Sequence, residues 1–199
     1  MMLELIHQAA LHNYELSTMA YEEAGDPEAF LKRIETLASD ACLFLGCSER
    51  TFEQLRTSLA MPVAHLYPNF TPDPEGVAAV DTDNAQVMHL LMEHLCGLGH
   101  TRIAMLHGQN SAATYTVHQE ERIDAFLHEL QQRGLPVSSR YVVYGGFDVD
   151  NGYAGARSLL ELPERRRPTA IVANDYNAPG IYQVAQELGL SIPRDLSVT

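Results

Sequence analysis

The chain has 199 residues, 46% of them hydrophobic, and sets 13 Lys and Arg against 26 Asp and Glu for a formal net charge of -13. That is enough apolar residue for a buried core in one large domain or two small lobes, while the acidic balance argues against nucleic-acid binding by this polypeptide, because phosphate contacts need clustered Lys and Arg. No run approaches the roughly 20 apolar residues that span a bilayer, and the opening MMLELIHQAALHNYEL lacks the basic start and continuous apolar stretch of a secretory leader, so the expected location is cytoplasmic.

Helical and strand signals alternate along the chain, the pattern of parallel sheets covered by helices. Leu3, Ile6 and Ala10 keep a helical period, and residues 15–20 (ELSTMA) read as a strand. Asp26-Pro27 is a helix start, an N-cap followed by Pro at the first helical position, ahead of a buried stripe of Phe30, Leu31, Ile34 and Leu37. Residues 41–45 (ACLFL) form a strand. Ser48 caps a helix carrying Phe52, Leu55 and Leu59, and residues 62–66 (PVAHL) form the next strand. Three prolines and a glycine make residues 67–76 an irregular connection. Residues 77–84 resume as a strand ending in polar residues, and the lobe boundary is placed near Asp81, giving lobes of 1–80 and 81–199.

The second half repeats the rhythm. Asp83 can cap a helix with Val87, Leu91, Leu95 and Leu98 on one face, stopped by Gly99. TRIAMLHG is a strand. Ile123, Phe126, Leu127 and Leu130 then fall at i, i+3, i+4 and i+7, and Gly134-Leu135-Pro136 ends their helix. Residues 141–146 (YVVYGG) form a strand, Asp150 caps a helix with Tyr153, Ala156 and Leu160, and TAIVA is a strand ending abruptly in Asn174-Asp175. Ile181, Val184, Ala185 and Leu188 give the following helix its core face, and residues 195–198 start one more strand.

In an open parallel sheet all strands point their carboxyl ends to one edge, and ligands bind in the crevice there. Three second-half strands lead to polar or aromatic residues at that edge: RIAMLHG to Arg122 after a loop, YVVYGG to Phe147, and TAIVA to Asn174 and Asp175. A planar donor, an aromatic face, an amide and a carboxylate suit a small polyhydroxylated ligand, whose hydroxyls need fixed partners and whose C–H face suits an aromatic ring. Plainer roles stand beside this one. Asn174 or Asp175 can cap the next helix, Arg122 can lie on a helix surface, and Phe147 can be loop packing.

Other chemistry finds little support. The sequence has no G-x-G-x-x-G after a first strand, no G-x-x-x-x-G-K-[ST] and no G-x-S-x-G, so a phosphate cradle or an elbow nucleophile is missing and no enzyme is expected. His89 and His94 are five apart, not the four that would aim both at one zinc, and no metal is expected. Cys42, Cys47 and Cys96, odd in number and in apolar surroundings, read as core thiols in a reducing compartment. Arg165-Arg166-Arg167 reads as a solvated loop, and the sequon Asn69-Phe70-Thr71 has no consequence in a cytoplasmic protein.

Several phrases in order carry a resemblance: VDTDNAQVMHLLMEHLCGLGHTRIAMLHG, ERIDAFLHELQQRGL and RPTAIVANDYNAPGIYQVAQELGLSIPRDLSV. They resemble the effector-binding core of the lactose-repressor (LacI/GalR) family of bacterial transcription regulators, closely from about Val80 to Val198 and by element order alone from Leu3 to Leu66. The Leu-Gly-His turn at Leu98 and the Asn174-Asp175 phrase are the most specific parts. The resemblance implies an α/β fold of two Rossmann-like lobes with parallel sheets (periplasmic-binding-protein-like type I), closing on a small-molecule effector, with sugars leading. It places the effector's gripping arginine on Arg122, the strand-end pair on Asn174 and Asp175, the stacking aromatic on Phe147 and a first-lobe polar position on Tyr67. No cofactor is implied. The intact regulator would be a homodimer that reaches operator DNA through a head absent from this chain, and the helix after Asn174-Asp175 would offer a dimer surface. The resemblance further implies a head, a hinge and a first strand before Leu3 and more strands after Thr199, so the first lobe is expected to be incomplete, the chain truncated at both ends, and a sheet edge left open to non-native pairing. The same two-lobed fold serves solute-binding receptors of transport systems, which is the alternative function; a sensor core on another type of head is a third.

Overall fold

The computed structural model describes residues 2–21, 26–46, 49–67, 77–108 and 117–199. The chain runs α1 (Met2–Leu11), α2 (Pro27–Thr36), β1 (Cys42–Leu45), α3 (Glu49–Ser58), β2 (Val63–Leu66) and β3 (Ala78–Val80). Then follow α4 (Asn84–Gly97), β4 (Ile103–Gly108), α5 (Val117–Gln132), β5 (Val142–Gly145), α6 (Val149–Leu160), β6 (Ala170–Val172), α7 (Ala178–Glu187) and β7 (Ser197–Val198). Two separate sheets result, β1-β2-β3 and β5-β4-β6-β7, and every described strand pair is parallel. The α/β architecture with parallel sheets is therefore the one the alternating pattern predicts.

Local signals set many of the boundaries. The Asp26 side chain accepts from the Glu28 amide with Pro27 at the first helical position, and Asp83 accepts from the Gln86 amide, each satisfying an amide that has no partner within its helix. Gly99, at φ +89, follows the α4 cap in the left-handed conformation that glycine adopts without strain. His100 beside it is a tie: its two ring nitrogens lie 2.8 Å from Thr169 Oγ1 and 2.9 Å from Ser197 Oγ, fastening the α4–β4 turn to the approaches of β6 and β7.

The second sheet divides two cores. Ala104 and Leu106 of β4 pack with Leu159 and Leu160 of α6 and Ile181 and Val184 of α7. Ile103 and Met105, on the opposite face, pack with Met88, Met92 and Leu95 of α4 and Ile123, Phe126 and Leu130 of α5. The predicted stripes on α5 and α7 are thus buried. Helices α6 and α7 meet without intervening side chains: a Cβ on Gly152 would strike the Asn177 backbone, and one on Gly180 the backbone of Val149 and Tyr153.

Four expectations need correction. Residues 15–20 form no strand; a strand exists only through a neighbour's backbone, and the described sheet nearest them has β1 at its edge, paired with β2 alone. Helix α1 forms as its period predicts, whereas the α2 stripe is fully buried only at Ile34 and Leu37 is 47% exposed, because Leu37 lies at the cap beyond the last helical turn. On α4 the buried face is Asn84, Met88, Met92 and Leu95, while Val87 and Leu98 are exposed. The α6 cap is Asp148, whose carboxylate accepts from the Asn151 amide, and Asp150 lies in the first turn. The Ser48 cap, Cys47, the Asn69 sequon and most of the 67–76 connection lie outside the described residues. Arg165 and Arg166 fall in a short 3-10 turn, Glu164–Arg166, with no buried residue. Cys42 and Cys96 are free and half-buried, and burial pushes the Cys42 thiol up.

Candidate functional site at the carboxyl edge of the second sheet

Strand β4 lies between β5 and β6, with His107 opposite Tyr144, Gly108 opposite Gly145 and Met105 opposite Val172. The three strands run parallel, so the segments leaving them start from one edge. Phe147 is two residues beyond β5 and Asn174 two beyond β6, both half-buried.

The hydrogen bonds join these two exits through a residue that the sequence analysis passed over. Asn177 is fully buried, and its Nδ2 donates 2.8 Å bonds to the carbonyls of Gly146 and Asp148. Those carbonyls flank Phe147, so one amide fixes the backbone on both sides of the aromatic residue. The Asn174 side chain turns toward the same group: its Oδ1 accepts from the Asn177 amide at 3.1 Å and its Nδ2 donates to Asn177 Oδ1. Asn174 therefore caps the turn leading into α7, the plainer of its two expected roles. Asp175 is exposed. The available signal for Asn177 was its place directly before Ala178-Pro179 at a helix start.

Arg122 is half-buried in the second turn of α5, and its Nε donates to Asn84 Oδ1 at 2.7 Å. Asn84, the first residue of α4, is 3% exposed and donates from Nδ2 to Glu121 Oε2 at 2.9 Å. Arg122 is thus oriented by a buried amide, unlike a side chain ranging free in solvent. Also at this end is His107, buried in β4; burial first, and then the Arg122 charge, lower its pKa to about 4, so the imidazole is neutral at physiological pH. Tyr67, after β2, is 43% exposed with φ 52, and its amide donates to Val80 at 3.0 Å. The structure thus ties Phe147 to Asn174 through Asn177 and sets Arg122 beside Asn84 and His107. Tyr67 belongs to the exit of the other sheet.

A cavity of about 1050 Å³ opens elsewhere, between the 13–21 segment, α2 and β1, lined by Tyr14, Met19, Phe30 and Leu43 among others, and includes none of the five predicted residues. Among the described residues no three His, Cys, Asp or Glu are grouped to hold a metal ion, and no helix is long and apolar enough to cross a membrane.

Comparison with known proteins matches residues 92–199, more than half of the chain, to the periplasmic binding protein-like domain. The HTH-type transcriptional repressor PurR of Haemophilus influenzae is 27% identical over 205 residues, covering 98% of this chain and 58% of the relative. Catabolite control protein A of Priestia megaterium is 26% identical over 194 residues, covering 96% and 56%. A crystal structure of a LacI-family regulatory protein from Chloroflexus aggregans superposes with a TM-score of 0.83 at 26% identity, covering 98% of this chain and 69% of that one. The chain spans little more than half the length of these curated relatives. With its parallel β5-β4-β6-β7 sheet and the match over residues 92–199, the chain belongs to the periplasmic binding protein-like domain family, in the form of the effector-binding core shared with LacI-family regulators.

Proposed function

We propose that this chain is the ligand-sensing core of a LacI-type transcription regulator and that its ligand, a small sugar, sits at the carboxyl edge of the second sheet. One observation carries the reading: the exits of adjacent parallel strands hold an amide-oriented guanidinium at Arg122 and, around Asn177, a bonded turn that fixes Phe147 beside Asn174. Such an edge offers donors, acceptors and a ring face to a compact hydroxylated molecule. Arg122 grips, Phe147 stacks, Asn174 and Asp175 contribute at the rim, and Tyr67 meets the ligand from the other lobe. Residues 1–80 and 81–199 are the two lobes, a division supported by β1–β3 and β4–β7 forming separate sheets. The intact regulator is a cytoplasmic homodimer that binds operator DNA through a separate head, and the core catalyses no reaction. The relatives are repressors and control proteins, which favours this reading over a transport receptor of similar fold.

A thermal-shift screen of neutral sugars tests the proposal. A binding sugar should raise the unfolding midpoint, and Arg122→Ala should abolish that rise while leaving the unliganded midpoint within a few degrees. An undiminished rise in the variant removes Arg122 from the site.

A further inference from the structure

Among the described residues, His107 is one that the fold leaves with a buried, unmatched nitrogen. Side chains alternate along a strand, and on β4 Ala104 and Leu106 enter the α6–α7 core while Ile103 and Met105 enter the α4–α5 core. His107 continues the second series, at the carboxyl end of the strand, where α4 begins with Asn84 and α5 presents Glu121 and Arg122. It is only 5% exposed, and its Nε2 is buried without a hydrogen-bond partner. A buried nitrogen of this kind is costly to leave unmatched and calls for a partner from outside the chain or a functional role. Asn84 offers no such vacancy, since it is already bonded to Arg122 and Glu121.

We propose that His107 Nε2 is a ligand-reading atom: one hydroxyl of the bound sugar donates to His107 Nε2 and accepts from Arg122. This rests on the sugar-sensing reading above and adds a specificity-determining residue to it. The chemistry follows from the two side chains. A guanidinium only donates, whereas a neutral imidazole keeps one nitrogen as acceptor. The Arg122 charge beside the ring opposes a second ring proton, so with its one proton on Nδ1, the tautomer this proposal assigns, the pair presents one donor and one acceptor to whatever lies between them. A hydroxyl oxygen donates and accepts at once; a carboxylate only accepts and leaves Nε2 unmatched. The pair accordingly selects a neutral hydroxylated ligand over the corresponding acid, and over the analogue lacking that one hydroxyl.

The test uses the full chain and titration calorimetry with neutral sugars found by thermal shift, their monodeoxy analogues and the corresponding uronates. Wild type should bind a neutral sugar and lose at least about tenfold in affinity with one particular monodeoxy form. His107→Phe should bind the parent sugar weaker by a similar factor and no longer distinguish that deoxy form, with its unfolding midpoint held or raised. A merely structural histidine would not erase that discrimination. Should the Phe variant not fold, His107→Met decides by the same criterion. Full affinity with retained discrimination in these variants, or uronates binding more tightly than neutral sugars, overturns the proposal and leaves the sensor reading standing. Failure of every carbohydrate to bind wild type overturns both.

Discussion

Gly180→Ala should destabilise the protein, against the sign that helix propensity alone gives. Ala in a helix interior is favoured over Gly by about 1 kcal/mol. Gly180, however, lies where α7 crosses α6, and an added Cβ would strike the Tyr153 amide nitrogen and the Val149 carbonyl oxygen and stand 2.8 Å from the Gly152 carbonyl carbon. Real Cβ atoms essentially never stand within 3.0 Å of such neighbours, and all three atoms are backbone, so no side chain can swing aside. The helices must separate, in a core where Ile181, Val184, Leu159 and Leu160 are fully buried. Overpacking of this kind costs roughly 1–3 kcal/mol or more, and rigid backbone on both sides puts this case at the upper end. After the propensity gain, a net loss of about 2 kcal/mol is expected, or roughly 4–8 °C in Tm at this chain length. Urea unfolding followed by circular dichroism measures it. Gly97→Ala is the control, since its Cβ would meet nothing within 4 Å, and it should gain about 0.5–1 kcal/mol. If Gly180→Ala were neutral or stabilising, the backbone-to-backbone crossing of α6 and α7 would be refuted.

Acid should expose His107. Its pKa of about 4 in the folded chain lies below the ordinary histidine value, so between roughly pH 6.5 and pH 4 the unfolded chain takes up the proton first and stability falls as pH falls. The loss is on the order of 2–3 kcal/mol once residual screening is allowed for, and His107→Gln should lack that part of the slope in urea titrations from pH 7.5 to 4.5. His65 and His100, also lowered chiefly by burial, shift stability the same way in both proteins, so the difference between variant and wild type is the quantity to read; identical slopes would count against it. Asn177→Ala removes the partner of the Gly146 and Asp148 carbonyls and should cost about 2 kcal/mol, visible as a lowered urea midpoint and faster amide exchange around Phe147. Met92→Ala should cost about 2–5 kcal/mol by opening a cavity in the α4–α5 core, whereas Val87→Ala, on the exposed face, should change the midpoint little; equal effects would mean that the other α4 face is buried.

At the candidate site the legible part was position along the chain. Arg122, Phe147 and Asn174 each follow a strand whose end could be read from its apolar run. Their partners were not legible: Asn84 is 38 residues from Arg122, and Asn177 reaches back 31 and 29 residues to Gly146 and Asp148. His107 looked like one more residue of an apolar strand, and only packing shows that its Nε2 is left over.

Sequence by itself determined the order of helices and strands from α2 onward, the caps at Asp26 and Asp83, the stop at Gly99 and the buried stripes of α5 and α7, because each depends on residues within about two turns of one another. Tertiary structure alone decided the rest. Residues 15–20 read as a strand from their place in the alternating order and form none, since a strand is made by its neighbour's backbone. Helix α4 carries apolar residues on two sides, and the sheet it met selected Met88 and Met92 over Val87 and Leu98. Gly152 and Gly180 became a helix crossing only when α6 and α7 were brought together. Short-range preferences write the elements; which surfaces are desolvated, and which polar atoms are left seeking a partner, is settled between residues far apart in the chain.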